Sequence, residues 1–93
     1  MSIRSFKSAA TERLFGGDRV KQFANIESAA MRKLAMLNRA GSLDDLRVPP
    51  GNRLERLKGD RAGQCSIRVN DQFRVCFVWT EDGPADVEIV DYH

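Results

Sequence analysis

The sequence predicts an α+β fold, an antiparallel sheet with two N-terminal helices packed on one face. Three observations predict it. Apolar residues recur at near-helical spacing up to Gly41, the period changes to two after Gly51, and turn-forming clusters punctuate the second half. With helices first and strands after them, the helices cover one side of the sheet and leave the other available. At 93 residues the chain is expected to form one domain spanning 1–93, with no space for a separate regulatory module.

Met1–Phe6 reads as a short first strand. Ser8 then supplies an N-cap for a helix running through Glu12 to Phe15, which Gly16-Gly17 ends. A second helix follows from Ile26, Ala30, Leu34 and Leu37, with Asn25 as cap and Gly41 at the stop. Its apolar positions are core positions, not a partner-binding stripe. Ser42–Gly51 is a connection with one helical turn at Leu43–Leu46, stopped by Pro49-Pro50. Arg53–Leu57, Gln64–Val69, Phe73–Trp79 and Ala85–Asp91 are strands, with turns at Asn70-Asp71-Gln72 and Glu81-Asp82-Gly83-Pro84.

A composition 42% hydrophobic and 30% charged belongs to a folded chain, not a disordered one. No apolar run approaches the roughly 20 residues that span a bilayer, so no membrane partner is expected. MSIRSFKSAATERLF lacks the apolar core, about 7–15 residues long, of a signal peptide. Cys65 and Cys76 form no zinc-ligand pattern and no disulfide framework. The expectation is a reduced, cytoplasmic setting. Arg47, Arg53, Arg56, Lys58, Arg61, Arg68 and Arg74 stand against Glu55, Asp60 and Asp71, whereas Val75–His93 carries acids and no Lys or Arg. Such a zone is a footprint for a polyanion or a solvated face, and charge alone leaves both readings open.

Register decides what the arginines do. A two-residue loop would put Ile67 on the face of Arg74. A three-residue loop pairs Val69 with Phe73, Ile67 with Val75 and Cys65 with Phe77, giving one apolar face extended by Trp79. Burial selects the second, because a one-residue slip moves every side chain to the wrong face. Ser66 then lies across from Cys76, and Arg68 across from Arg74. The two cysteines fall on opposite faces, so they are small hydrophobes without a disulfide. Facing guanidiniums either splay into water or bracket a phosphate, whose oxygens suit the guanidinium fork, with Lys58 and Arg61 able to join them.

The chain ends VEIVDYH, and His93 is its one histidine. A terminal imidazole is commonly a frayed surface group, but this strand belongs to the sheet that displays the arginines. There is no Ser-His-Asp triad, no Gly-rich phosphate loop and no ligand cluster in the sequence, so no cofactor or metal is expected. The chemistry that fits is RNA cleavage by a ribose 2′-OH, with fixed cations at the phosphate and proton transfer by side chains. DNA lacks that nucleophile.

LKGDRAGQCSIRVNDQFRVCFVW (Leu57–Trp79) with the terminal DYH, supported by IRSF and the GD and KLAML pieces, resembles the HigB-type toxins of the RelE/ParE superfamily over nearly the whole chain. The resemblance implies a compact sheet with two helices and a ribosome-dependent mRNA endonuclease acting in the decoding site. It implies a HigA-like helix-turn-helix antitoxin as partner, with the ribosome and mRNA as further partners and operator DNA reached only through the antitoxin. Carried over by motif, Lys58, Arg74, Asp91, Tyr92 and His93 are the catalytic residues. In this reading Arg74 and Lys58 stabilise the phosphate, His93 transfers protons with Asp91 orienting it, and Tyr92 stacks on or hydrogen-bonds the substrate. Arg53, Arg56, Arg61 and Arg68 are the expected RNA or ribosome contacts. Some members carry a histidine before LKGDR where this chain has Glu55-Arg56, which shifts proton transfer onto His93 with Tyr92 or Asp91, or onto Glu55. The rival is a ParE-like poison of DNA gyrase, which has no need of the Lys58/Arg74/His93 set. A helix-turn-helix repressor is disfavoured because two such short helices show no such motif.

Overall fold

The computed structural model describes residues 1–92. Helix α1 spans Ala9–Phe15 and begins where expected, because Ser8 accepts the Thr11 N–H at 3.2 Å. Helix α2 spans Glu27–Arg39 and buries Ala30, Leu34 and Leu37. Its entry corrects the expected Asn25 cap. Residues Lys21–Ile26 form a 3₁₀ turn that contains Asn25, and no side chain caps the helix at Ile26. The three-residue period of that turn puts Phe23 and Ile26 on one side, and both are buried.

Four antiparallel strands follow in the order β1 (Glu55–Arg56), β2 (Cys65–Arg68), β3 (Phe73–Thr80) and β4 (Gly83–Asp91). β2 and β3 adopt the expected register, with Cys65 across from Phe77, Ser66 from Cys76, Ile67 from Val75 and Arg68 from Arg74. Cys65, Ile67, Val69, Val75, Phe77, Val87 and Ile89 share one core with Leu14, Leu34 and Leu37, and Trp79 packs against it. Both cysteines are free and buried.

Two expected strands differ. Residues Met1–Phe6 make a single parallel bridge, Phe6 to Val87, instead of a regular strand. Asp86 holds φ 51° beside a register shift in the β3–β4 ladder, and this kink leaves no straight edge for longer pairing. The start of β4 is held close to the N-terminal segment. Gly83 has φ +123°, and a Cβ there would lie 2.7 Å from the Ser2 carbonyl oxygen. The strand expected over Arg53–Leu57 shrinks to Glu55–Arg56, because Arg53 is left-handed at φ 46° and its N–H closes the Pro50–Asn52 turn on the Pro50 carbonyl. Among the described residues no helix is long and apolar enough to cross a membrane.

Candidate functional site

The face away from the helices is closed at its centre by polar groups. Ser66 and Cys76 are fully buried there, outside the apolar core. Burial pushes the Cys76 thiol up, with Arg61, Glu88, Arg74 and Lys7 as the charges around it. Arg61 donates to Glu88 at 3.0 Å and to Gln64 at 3.1 Å, and the Glu88 bond raises its pKa. Lys7 stands 3.9 Å from the same carboxylate.

Arg74 is clamped. Its Nε donates to the Ser66 hydroxyl at 2.8 Å, and its Nη2 donates to the Arg53 carbonyl at 2.7 Å. Both acceptors are neutral, so they fix the guanidinium without cancelling its charge. The Arg53 carbonyl reaches it because of the left-handed turn, and that turn is anchored from below. Asn52 is fully buried, donates to the Leu46 carbonyl at 3.1 Å and accepts from Lys33 Nζ at 2.6 Å. Desolvation, with Arg32 and Arg68 nearby, lowers the Lys33 pKa. Neither Ser66 nor Asn52 stands out in the sequence as a site residue. The available signals were a small polar residue in an alternating strand beside an arginine, and an Asn directly after Pro-Pro-Gly.

Tyr92 completes this corner. Its N–H donates to the Gln72 carbonyl, tying the end of the chain to the β2–β3 turn, and Arg74 Cζ lies 5.8 Å from its ring centroid. Such a cation–π contact contributes about 0.5–1 kcal/mol at an exposed site. Glu55, Arg56, Leu57, Lys58 and Tyr92 line a groove of about 340 Å³. Gly59, with φ +64°, lets the chain turn sharply straight after Lys58 into the Gly59–Arg61 3₁₀ turn.

The structure therefore brings Lys58, Tyr92 and Arg74 to one region. It places the other expected residues differently. Asp91 is paired with Phe73, the neighbour of Arg74 that points to the opposite face, and accepts from Gln72 Nε2 at 3.0 Å. Arg68 has an ion-pair partner in Asp71, three residues on in the turn, so the facing arginines are not equally exposed as cations. Arg61 is engaged by Glu88, as above. Arg56 is paired with Cys65 and so leans to the helix side, although it borders the groove. Arg53 contributes its carbonyl to the clamp while its side chain is exposed. The role expected of His93 lies outside the described residues.

A family model described as RelE-like toxin of type II toxin-antitoxin system HigB matches residues 4–93. The chain is 43% identical over 90 residues to Toxin HigB-1 of Vibrio cholerae, covering 95% of this chain and 94% of that protein. It is also 36% identical over 63 residues to an uncharacterized protein of Haemophilus influenzae, covering 68% of this chain and 62% of that one.

Proposed function

Because the chain belongs to the HigB family of RelE-like toxins of type II toxin–antitoxin systems, we propose that it is a ribosome-dependent, metal-independent endoribonuclease. It cuts mRNA in the decoding site, by attack of a ribose 2′-OH on the adjacent phosphate. A toxin of this type has an antitoxin partner, and the proposed one is a HigA-like helix-turn-helix protein.

The observation that carries this reading is the clamped guanidinium of Arg74 beside the groove lined by Lys58 and Tyr92. As the 2′-oxygen adds to phosphorus, negative charge grows on the non-bridging oxygens. A cation already held in place stabilises that charge without reorganising at the moment of reaction. Lys58 adds a second cation, and Tyr92 offers a ring and a hydroxyl to the substrate. His93 is the proposed proton-transfer group. With so few acid and base groups, the enzyme relies on the ribosome to hold mRNA in a near-attack shape, so free RNA is cut poorly.

Induced expression in growing cells tests the reading. Protein synthesis is expected to stop before DNA synthesis, and new mRNA ends should map within translated codons. Arrest of DNA synthesis first, with intact messages, would identify a gyrase poison instead.

A further inference from the structure

Arg74 can meet a developing charge without moving only if the carbonyl that takes its Nη2 is itself held still. We propose that buried Asn52, secured by Lys33 of α2, is a positioning residue that sets the cleavage rate through the Arg53 carbonyl and Arg74. The assignment rests on the nuclease reading above.

The weak point of the clamp is the Arg53 backbone, which is left-handed at φ 46° and ψ 54°. Among the described residues, Asp86 is the one other non-glycine with a positive φ, and aspartate enters that region more readily than arginine does. An arginine stays there only where its surroundings over-determine it. Rotation back to an ordinary φ would swing its carbonyl, now 2.7 Å from Arg74 Nη2, away from the guanidinium.

Asn52 supplies those surroundings. Its side chain is fully buried, and both of its polar atoms are engaged. The amide nitrogen donates to the Leu46 carbonyl at 3.1 Å and also faces Met36 Sδ at 3.1 Å and the Val48 carbonyl at 3.5 Å. Oδ1 accepts from Lys33 Nζ at 2.6 Å. Its backbone N–H closes on the Pro49 carbonyl at 2.9 Å, one residue before the Arg53 N–H closes on Pro50 at 3.1 Å. One side chain therefore ties the Pro50–Asn52 turn both to α2 and to the turn at Leu43–Arg47, and Arg53 is the next residue along.

An apolar side chain could fill the same space. A buried amide is costly unless its partners are all met, so it admits one orientation of the turn and excludes the others. The contacts run from Lys33 through Asn52 and the Arg53 carbonyl to the guanidinium, and Arg74 is the member that meets the phosphate.

The test is single-turnover cleavage of mRNA on programmed ribosomes by the full chain, with Asn52→Ala made alone and together with Arg74→Ala. Asn52→Ala should lower the maximal rate by about 10–10²-fold, the cost of a misplaced catalytic group, with half-saturation within about twofold of the parent. In the Arg74→Ala background the same change should cost less than about twofold, because the group it positions is gone. Glycine takes a positive φ without a Cβ penalty, so Asn52→Ala should also cost less beside Arg53→Gly than in the parent. Lys33→Met, at the partly exposed end of the chain of contacts, carries the test if Asn52→Ala does not fold. It should lower the maximal rate by about 2–30-fold and again have no further effect beside Arg74→Ala. A parental rate in both single variants, or an equal loss with and without Arg74, overturns the assignment while the nuclease reading stands. If the parent itself leaves ribosome-bound mRNA uncut, both fall.

Discussion

Replacing Arg74 by alanine is expected to lower mRNA cleavage on the ribosome by about 10²–10³-fold, the usual cost of deleting one preorganised donor to a developing oxyanion. The loss should fall on the maximal rate more than on ribosome binding, because the guanidinium matters most when charge peaks on the phosphate. Arg74→Lys should recover little of it. A lysine keeps the charge, but its single ammonium cannot reproduce the two-point hold on Ser66 and the Arg53 carbonyl. The alanine variant also leaves the fully buried Ser66 hydroxyl without its partner, at a cost of about 1–3 kcal/mol. A thermal melt alongside the rate measurement separates the two effects. Growth arrest by Arg74→Ala as strong as by the parent would remove Arg74 from the chemistry.

Phe77→Ala is expected to be the most damaging core change, costing about 3–5 kcal/mol. Phe77 is fully buried in the middle of β3, across from Cys65 and in one cluster with Leu34, Leu37 and Ile67. A domain of this size has a total stability of about 5–14 kcal/mol, so the variant loses a large share of it. The midpoint of chemical denaturation measures this directly. A loss below about 1 kcal/mol would mean that the core collapses around the gap or that this ring is not central to it.

The strand register was legible because one rule decides it: burial of an unbroken apolar face from Cys65 to Trp79 admits a single pairing of β2 with β3. α1 was legible through Ser8 and its terminal glycines, and the body of α2 through its apolar spacing. What failed was governed by local geometry that residue type states weakly. Arg53 in a left-handed conformation shortens β1, and nothing in Pro-Pro-Gly-Asn-Arg assigns that conformation to the arginine and not to the glycine. Asn25 resembled a cap, yet burial of Phe23 and Ile26 on a 3₁₀ turn moved the helix start. In the site, the cluster of basic residues was visible, but its division was not. Arg68 and Arg61 meet carboxylates on other elements or turns, Arg74 meets neutral oxygens, and only the folded chain distinguishes them. Asp91 and Tyr92 are adjacent in sequence, yet register sends the first to the side of Phe73, while the second stacks beside Arg74.

The central claim is that the substrate's own 2′-hydroxyl is the nucleophile, with Arg74 and Lys58 stabilising the phosphate it attacks. The most direct test is an mRNA carrying one 2′-deoxynucleotide on the 5′ side of the scissile phosphate, placed in the decoding site of programmed ribosomes. The account predicts no cut at that phosphate and normal cutting of the all-ribose message. Cleavage of the deoxy-substituted message at the same position and rate would contradict it.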